Sequence, residues 1–106
     1  MTAVESRIRL CVLDEVPLGL GRSFQVGENL VAVFRTRNGR VFATDGICPH
    51  KGGPLADGML GTDDQVVCPY HTFRFDSSTG VCDQSTVCSI ETYPVEVINR
   101  DVFITV

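Results

Sequence analysis

The residues most suited to chemistry are the two histidines of the chain, because each lies within three positions of a cysteine. The first pair is Cys48-Pro49-His50 and the second is Cys68-Pro69-Tyr70-His71, with 17 residues between them. Thiolates and imidazoles are side chains that bind transition metals such as zinc and iron. The repeated pairing, in two segments that both contain proline, predicts that the four side chains bind metal together.

Two kinds of metal centre fit this donor set. Two thiolates and two imidazoles suit a tetrahedral zinc ion, although zinc fingers usually place both cysteines before both histidines. Here each segment supplies one Cys and one His. That arrangement suits a two-iron two-sulfur cluster in which one iron takes two thiolates and the other takes two imidazoles. The mixed pairs therefore favour the cluster, and zinc is the alternative.

The two segments resemble the cluster-binding loops of the Rieske iron–sulfur family. By that resemblance, Cys48 and Cys68 bind the inner iron of a Rieske-type 2Fe-2S cluster. His50 and His71 bind the outer iron. The resemblance also implies an all-β fold of stacked antiparallel sheets, three in number, with two cluster-binding loops at one tip. It implies a single Rieske domain over residues 1–106 and no separate catalytic residue.

The same resemblance predicts a low reduction potential. High-potential members of the family carry one extra cysteine in each loop, joined by a disulfide, and the corresponding positions here are Gly53 and Tyr70. Those members also place a Ser and a Tyr hydroxyl as donors to the cluster sulfurs, where this chain has Phe73 and Phe75. Because such donors stabilise the more negative reduced state, we expect a midpoint near the roughly −150 mV end of the Rieske range.

The elements that must position these residues are predicted to be β-strands. Asn38-Gly39 lies between two β-rich segments, Leu30–Arg35 and Val41–Ala43, and is a strong hairpin signal. Tyr93–Val97 and Val102–Val106 predict a closing hairpin. No window has apolar residues at helical spacing over about ten positions, so the pattern indicates an all-β domain.

Two segments are predicted to be loops that carry the function. Gly46–Leu60 contains four glycines and two prolines, a composition typical of a shaped loop rather than a strand. The second loop, Cys68–His71, lies between two short strand candidates, Val66-Val67 and Phe73–Phe75. Loops held by a β scaffold commonly carry functional residues.

Length and composition limit the possible functions. At 106 residues, with 43% hydrophobic and 21% charged residues, the chain is predicted to be one globular domain. Its net charge of −4 argues against nucleic acid as a partner. No apolar run approaches the roughly 18 residues that cross a bilayer, and the N-terminus lacks the pattern of an export signal. We therefore expect a cytoplasmic protein that binds no membrane.

The charge is distributed unevenly along the chain. Residues 1–44 contain six arginines and four acidic residues, whereas residues 45–106 contain three basic and nine acidic residues. The acidic half is either a solvated surface or a docking face for a basic partner, since charge of one sign steers association.

Three cysteines lie outside the predicted ligand set. Cys11 follows an apolar, strand-like segment and is predicted to be a small buried hydrophobe. Cys82 and Cys88 are either a redox pair or buried thiols. The odd cysteine count and the missing export signal argue against lasting disulfides.

One group of segments resembles the small subunit of assimilatory NAD(P)H nitrite reductase. These are Gly21–Phe24, Val31–Arg35 and Cys48–Leu55. The resemblance implies an electron-transfer subunit of an oxidoreductase that is not catalytic alone. Its partner would be a large subunit that carries sirohaem, an iron–sulfur cluster and flavin. Some members of that small-subunit family lack the cluster ligands, whereas all four are present here.

The second hypothesis is a Rieske ferredoxin that passes electrons from a flavoprotein reductase to a ring-hydroxylating dioxygenase. The loops of that family more often read Cys-Thr-His and Cys-Pro-Trp-His-Gly, whereas this chain has Pro49, Tyr70 and Thr72 at the differing positions. A third hypothesis, from another class, is a non-redox interaction subunit that keeps the fold.

Overall fold

A computed structural model describes residues 7–48, 54–61, 65–68, 74–82 and 89–105, and these fold mainly into antiparallel β-strands. The strands are β1 (Arg7–Val12), β2 (Leu20–Val26), β3 (Asn29–Arg35), β4 (Val41–Asp45), β5 (Met59–Leu60), β6 (Val66–Val67), β7 (Arg74–Phe75), β8 (Thr92–Tyr93), β9 (Val95–Ile98) and β10 (Asp101–Thr105). Two short 3₁₀ helices span Leu13–Glu15 and Leu55–Asp57. Within the described residues, no helix has the length and apolarity needed to cross a membrane. The predicted all-β class is confirmed.

The strands form three antiparallel sheets, in the orders β2-β3-β4-β8, β1-β10-β9 and β5-β6-β7. Strand β3 is buried on both faces, because Val31, Ala32, Val33 and Phe34 have no exposed surface. Successive side chains of a strand point to opposite faces. Val31 and Val33 accordingly pack with residues of the β1-β10-β9 sheet, whereas Ala32 and Phe34 pack with residues of the β5-β6-β7 sheet. The central sheet is therefore covered on both sides, and the three sheets stack as predicted.

The predicted hairpin around Asn38-Gly39 is confirmed. Strands β3 and β4 pair antiparallel, with Val33 opposite Ala43. Gly39 has a φ of +93°, a left-handed conformation that glycine adopts without steric cost. This hairpin matters for the site, because the end of β4 leads directly into the first cysteine segment.

The predicted closing hairpin is also present, but its first strand is interrupted. Strands β9 and β10 are joined by Asn99 and Arg100, which both have positive φ, as a two-residue hairpin turn requires. The segment predicted as one strand, Tyr93–Val97, is divided at Pro94. Tyr93 pairs with Ala43 in the central sheet, and β9 begins after the proline in another sheet. Proline lacks the backbone N–H that a continuous ladder would use.

The sheet β1-β10-β9 joins the two ends of the described chain and encloses Cys11. Strand β1 pairs with β10, with Ile8 opposite Ile104. Cys11 is 2% exposed and belongs to the core under this sheet, so its prediction as a small buried hydrophobe is confirmed. Burial raises the pKa of the Cys11 thiol, and the Glu15 carboxylate raises it further, against the effect of nearby arginines.

The segment Gly46–Leu60, predicted to be a loop, contains regular structure in its second half. The 3₁₀ helix Leu55–Asp57 is followed by strand β5, in which Leu60 pairs with Val66 of β6. The glycines and prolines of this segment carry no signal for pairing with a strand further along the chain, so the prediction of a loop is wrong for its second half. Leu55 is fully buried, so the helix anchors this segment to the core.

Candidate metal centre

Both predicted cysteine ligands directly follow a residue whose backbone is paired with a residue further along the chain. The first loop (residues 48–53) lies between Ile47 and Pro54, which form an isolated antiparallel bridge. The second loop (residues 68–73) joins β6 to β7, where Val67 pairs antiparallel with the first residue of β7. The residues that flank each loop are therefore paired with each other, and a cysteine is the first residue of each loop.

The two cysteines are buried in one apolar core. Cys48 and Cys68 are each 1% exposed. We call this cluster the loop-side core, and it comprises Ala32, Phe34, Phe42, Cys48, Leu55, Ala56, Val66, Cys68, Phe75, Cys82 and Ile90. No charged residue belongs to it. The structure thus places both predicted thiol ligands in the same water-poor environment, at the starts of the two loops.

The two predicted histidine ligands, His50 and His71, lie outside the described residues, as do Gly53, Tyr70 and Phe73. Across the described ranges no three His, Cys, Asp or Glu side chains lie together as a metal site would require. A complete site therefore needs donors from the two loops in addition to the described cysteines.

The chemistry of the described donors fits a metal centre. Cysteine thiolates are soft ligands that bind iron and zinc. A metal ion deprotonates its thiol ligands. Cys48 and Cys68 therefore suit a soft transition metal that needs two thiolates shielded from water.

Phe75 occupies the position where the sequence resemblance predicts a missing hydroxyl donor. Its ring is fully buried in the loop-side core, and it pairs with Val66, two residues before Cys68. On its other side Phe75 forms an antiparallel bridge with Cys82. Cys82 is 7% exposed in the same core. Its predicted alternative, a redox pair with Cys88, is untested because Cys88 lies outside the described residues.

A close backbone approach beside the second loop requires a glycine. A Cβ atom on Gly58 would lie 1.9 Å from the carbonyl oxygen of Val67, the residue before Cys68. Gly58 also donates its N–H to the carbonyl of Leu55 at 3.0 Å. In the sequence, Gly58 is one of four glycines in the segment Gly46–Leu60, and composition does not reveal which backbone atoms lie next to it.

A polar contact between Asp45, at the end of β4, and Tyr93 has no signal in the sequence. The carboxylate of Asp45 accepts hydrogen bonds from the Tyr93 hydroxyl, at 2.7 Å, and from the Glu91 N–H, at 2.9 Å. Burial and the hydrogen bond to Asp45 raise the pKa of Tyr93 to about 12, and the charges of Asp45 and Glu91 contribute further. No local pattern joins residues 48 positions apart, so only the folded chain reveals this contact.

The turn that follows β7 is built around Asp76. Oδ1 of Asp76 accepts the N–H groups of Ser78 and Thr79 at 2.8 and 3.0 Å. These two backbone hydrogen bonds lower the pKa of Asp76. These hydrogen bonds fix the backbone of the turn that follows β7.

Sequence comparison relates this chain to proteins of two functional groups. It is 33% identical over 103 residues to the ferredoxin subunit of a 3-phenylpropionate/cinnamic acid dioxygenase from Photorhabdus laumondii, covering 95% of each chain. It is 37% identical over 91 residues to a nitrite reductase [NAD(P)H] from Emericella nidulans, covering 78% of this chain and 8% of that protein. Several relatives are much longer, and the chain spans 22% of a cholesterol 7-desaturase from Ciona intestinalis.

Structure comparison gives the same fold. A crystal structure from Mycobacterium tuberculosis, assigned as the small subunit of an NADH-dependent nitrite reductase, superposes with a TM-score of 0.88. The match covers 98% of this chain and 97% of the other at 23% identity, and so it shows a shared fold.

The family model that describes the Rieske [2Fe-2S] domain matches residues 6–94. This range includes the two loops, the loop-side core and the central sheet. The shared cofactor of the family is a Rieske-type 2Fe-2S cluster, and its function in ferredoxins is electron transfer. The burial of Cys48 and Cys68 in one core agrees with that match. The chain belongs to the Rieske [2Fe-2S] domain family.

Proposed function

We propose that Cys48 and Cys68 bind one iron of the 2Fe-2S cluster and that His50 and His71 bind the other. The observation that carries the proposal is the placement of both cysteines at the first position of two paired loops and in one buried core. When bound, a cluster of this type accepts and releases one electron at a time. The thiol side chains lie in the protein interior, and the assignment puts the imidazoles in the loops.

The residues around the cysteines exclude water from the sulfur atoms and lower the polarity of the site. Leu55, Val66 and Phe75 have no exposed surface, and none of them carries a hydrogen-bond donor in its side chain. Such surroundings disfavour the added negative charge of the reduced state. We expect a midpoint near roughly −150 mV, and a redox titration that gives a positive midpoint contradicts the expectation.

The partner that we favour is the large subunit of an assimilatory NAD(P)H nitrite reductase, with this chain as the small electron-transfer subunit. The support is the 37% identity to the Emericella nidulans nitrite reductase, together with the loop residues Pro49, Tyr70 and Thr72. The chain by itself would not reduce substrate; it would pass electrons within the complex. The predicted cytoplasmic location belongs to the same proposal, and cell fractionation tests it.

A second candidate is a mobile ferredoxin that supplies electrons to a dioxygenase. The observation that favours it is the 33% identity to a dioxygenase ferredoxin subunit over 95% of both chains. In this case the chain would dissociate after each electron transfer, whereas a nitrite reductase subunit would stay bound.

The ligand assignment is tested on anaerobically purified protein by iron and sulfide analysis and by electron paramagnetic resonance. The wild type should contain two irons and two sulfides per chain, as the cluster type demands. His71→Ala should lose the Rieske spectrum, whereas Arg22→Ala, on the exposed surface of β2, should keep it. An unchanged spectrum in His71→Ala would refute the assignment, and wild-type protein without iron and sulfide would favour a non-redox interaction subunit.

The partner is tested by affinity capture from the native host, with mass spectrometry of the retained proteins. Cells are grown on nitrate and, separately, on an aromatic carbon source. Recovery of a large sirohaem protein from nitrate-grown cells supports the nitrite reductase proposal. Recovery of a flavoprotein reductase or an oxygenase instead supports the ferredoxin and overturns the favoured proposal.

A further inference from the structure

We propose that Asp45 and Tyr93 are positioning residues for the 2Fe-2S centre, because they hold one short stretch of chain across the bases of both ligand loops. We call this stretch, residues 89–93, the connecting segment. The proposal rests on the ligand assignment above, since Cys48 and Cys68 must reach the same iron. A metal centre needs its ligands held in a fixed geometry by the residues behind them.

On the side of the first loop, three hydrogen bonds join the end of β4 to the connecting segment. The Asp45 carboxylate accepts the Tyr93 hydroxyl at 2.7 Å and the Glu91 N–H at 2.9 Å. The Asp45 N–H donates to the Glu91 carbonyl at 2.9 Å. Two of the three bonds end on a carboxylate and are therefore stronger than bonds between neutral groups. They fix the backbone three residues before Cys48.

The backbone between Asp45 and Cys48 is itself held on two sides. The Gly46 N–H donates to the Leu30 carbonyl at 2.8 Å, and the Gly46 carbonyl accepts the Leu55 N–H at 2.9 Å. Ile47 then pairs with the residue that follows the first loop. Because this stretch is constrained, a displacement of Asp45 moves the start of the first loop with it.

On the side of the second loop, the connecting segment contacts the turn that follows β7. The Ile90 N–H donates to the Gly80 carbonyl at 2.9 Å. Gly80 has a φ of +77°, and a Cβ atom there would lie 1.9 Å from the Ile90 carbonyl oxygen, so the two backbones touch. The turn leads back to Phe75, which pairs with Val66, two residues before Cys68.

The connecting segment is held by apolar and polar contacts together. Ile90 is buried in the loop-side core, and Tyr93 is half-buried and packs against the core under the β1-β10-β9 sheet. The hydrogen bonds to Asp45 add a directional attachment to this packing. The loops also carry Gly53 and Tyr70 where related high-potential proteins carry the cysteines of an inter-loop disulfide. The connecting segment supplies a non-covalent link between the loop bases in this chain.

The test compares wild-type holoprotein with Tyr93→Phe, which removes one hydroxyl and keeps the ring. We expect the rate of cluster loss to an iron chelator, under conditions where the fold is intact, to rise about tenfold, as the loss of a hydrogen bond to a carboxylate implies. We also expect altered g-values in electron paramagnetic resonance and a changed midpoint potential. Asp45→Asn should change all three in the same direction, because its amide cannot accept both hydrogen bonds.

The matched control is Ile104→Val, which removes one buried methylene from the core against which Tyr93 packs and removes no hydrogen bond, so it separates loss of packing from loss of the Asp45 contact. It should lower the free energy of unfolding and leave the g-values, midpoint and cluster-loss rate as in the wild type. If Tyr93→Phe fails to fold, Asp45→Asn is measured in its place, and a shift relative to Ile104→Val supports the proposal equally.

Three outcomes overturn the proposal. The first is that the Asp45 and Tyr93 variants keep wild-type spectra and cluster-loss rates. The second is that Ile104→Val shows the same changes as those variants, and the third is that neither the Asp45 variant nor the Tyr93 variant folds. Each of these outcomes means that the contacts do not act specifically on the centre. A wild-type protein that binds no cluster is a different result, because it removes the ligand assignment itself.

Discussion

The two faces of the central sheet are covered by sheets of unequal length. On one face, β1, β9 and β10 contribute strands of six, four and five residues. On the other face, β5, β6 and β7 have two residues each. Pairing over so few residues is weak in water without further support. We call these faces the terminal side and the loop side.

The difference indicates that the two sides are stabilised by different means. The terminal side is held by long ladders that join both ends of the described chain over a core of Val102, Ile104 and their neighbours. The loop side has short ladders that end in the two cysteine-bearing loops. A bound metal contributes its binding free energy to the structure that holds it. We therefore expect the cluster to stabilise the loop side far more than the terminal side.

Removal of the cluster should have the largest effect, and that effect should be confined to one side. In Cys68→Ser, or after chelation of iron from the wild type, backbone amides of β5–β7 should exchange faster by about three orders of magnitude. Amides of β1 and β10 should keep their protection. Hydrogen exchange with mass spectrometry measures both sides at once, and an equal loss of protection on both would show that the two sides are not independent.

A single methyl group beside the second loop should be the next largest effect. Gly58→Ala places a Cβ atom 1.9 Å from the Val67 carbonyl oxygen and should lower the free energy of unfolding by about 3 kcal/mol. Gly27→Ala is the control, because Gly27 has a positive φ but nothing within 4 Å of the added atom. Gly27→Ala should lower the free energy of unfolding by about 1 kcal/mol, because alanine is less stable than glycine in the left-handed conformation. Equal losses in urea denaturation would show that the close approach near the loop is easily relieved.

A matched pair of valines separates the two sides further. Val66 in β6 and Val102 in β10 are both fully buried, and they belong to the loop-side core and the terminal-side core respectively. Each change to alanine should lower the free energy of unfolding by about 2 kcal/mol. Only Val66→Ala should speed the loss of the cluster to a chelator. If Val102→Ala speeds it equally, the cores on the two sides are coupled through the central sheet.

The sequence predicts pairings between neighbouring segments better than pairings between distant ones. Hairpins with strong local signals, such as the one at Asn38-Gly39, are confirmed because their turn and both strands are adjacent in the chain. The pairing of β5 with β6 and the division of the strand at Pro94 depend on partners elsewhere in the fold. Cys48 and Cys68 could be singled out as candidate ligands from their spacing to the histidines, and the structure places both in one core.

The supporting contacts of the site could not be predicted in the same way. Asp45 and Tyr93 are ordinary polar residues in the sequence, and their importance arises only when β4 and β8 become neighbours. The same holds for Gly58, whose close approach to Val67 depends on the placement of two short strands. Ligand identity is a local property of a motif, whereas the geometry behind the ligands is a property of the whole fold.

Alkaline pH should lower the stability of the fold through Tyr93, which packs against the terminal-side core. The pKa of this phenol is raised from 10.0 to about 12 in the folded protein, so folding favours its protonated form. The stabilisation is complete below pH 10.0 and is lost as the pH rises toward about 12. Unfolding free energy measured across that window should fall less steeply in Tyr93→Phe than in the wild type. Parallel curves for the two proteins would contradict a role of the phenol in this pH dependence.

The smallest effect should come from an ion pair on the outer surface of the terminal side. Arg7 and Glu96 lie 2.6 Å apart, but their side chains are 52% and 58% exposed, so water screens the attraction. Glu96→Gln should lower the free energy of unfolding by about 0.5 kcal/mol or less, and Arg7 would keep its place over the Phe103 ring, 5.0 Å from the centroid. The rate of cluster loss should not change. If Glu96→Gln lowered the free energy of unfolding as much as Val102→Ala, surface charge rather than the buried core would hold the ends of the described chain together. The contrast between the two sides would then need a different physical basis.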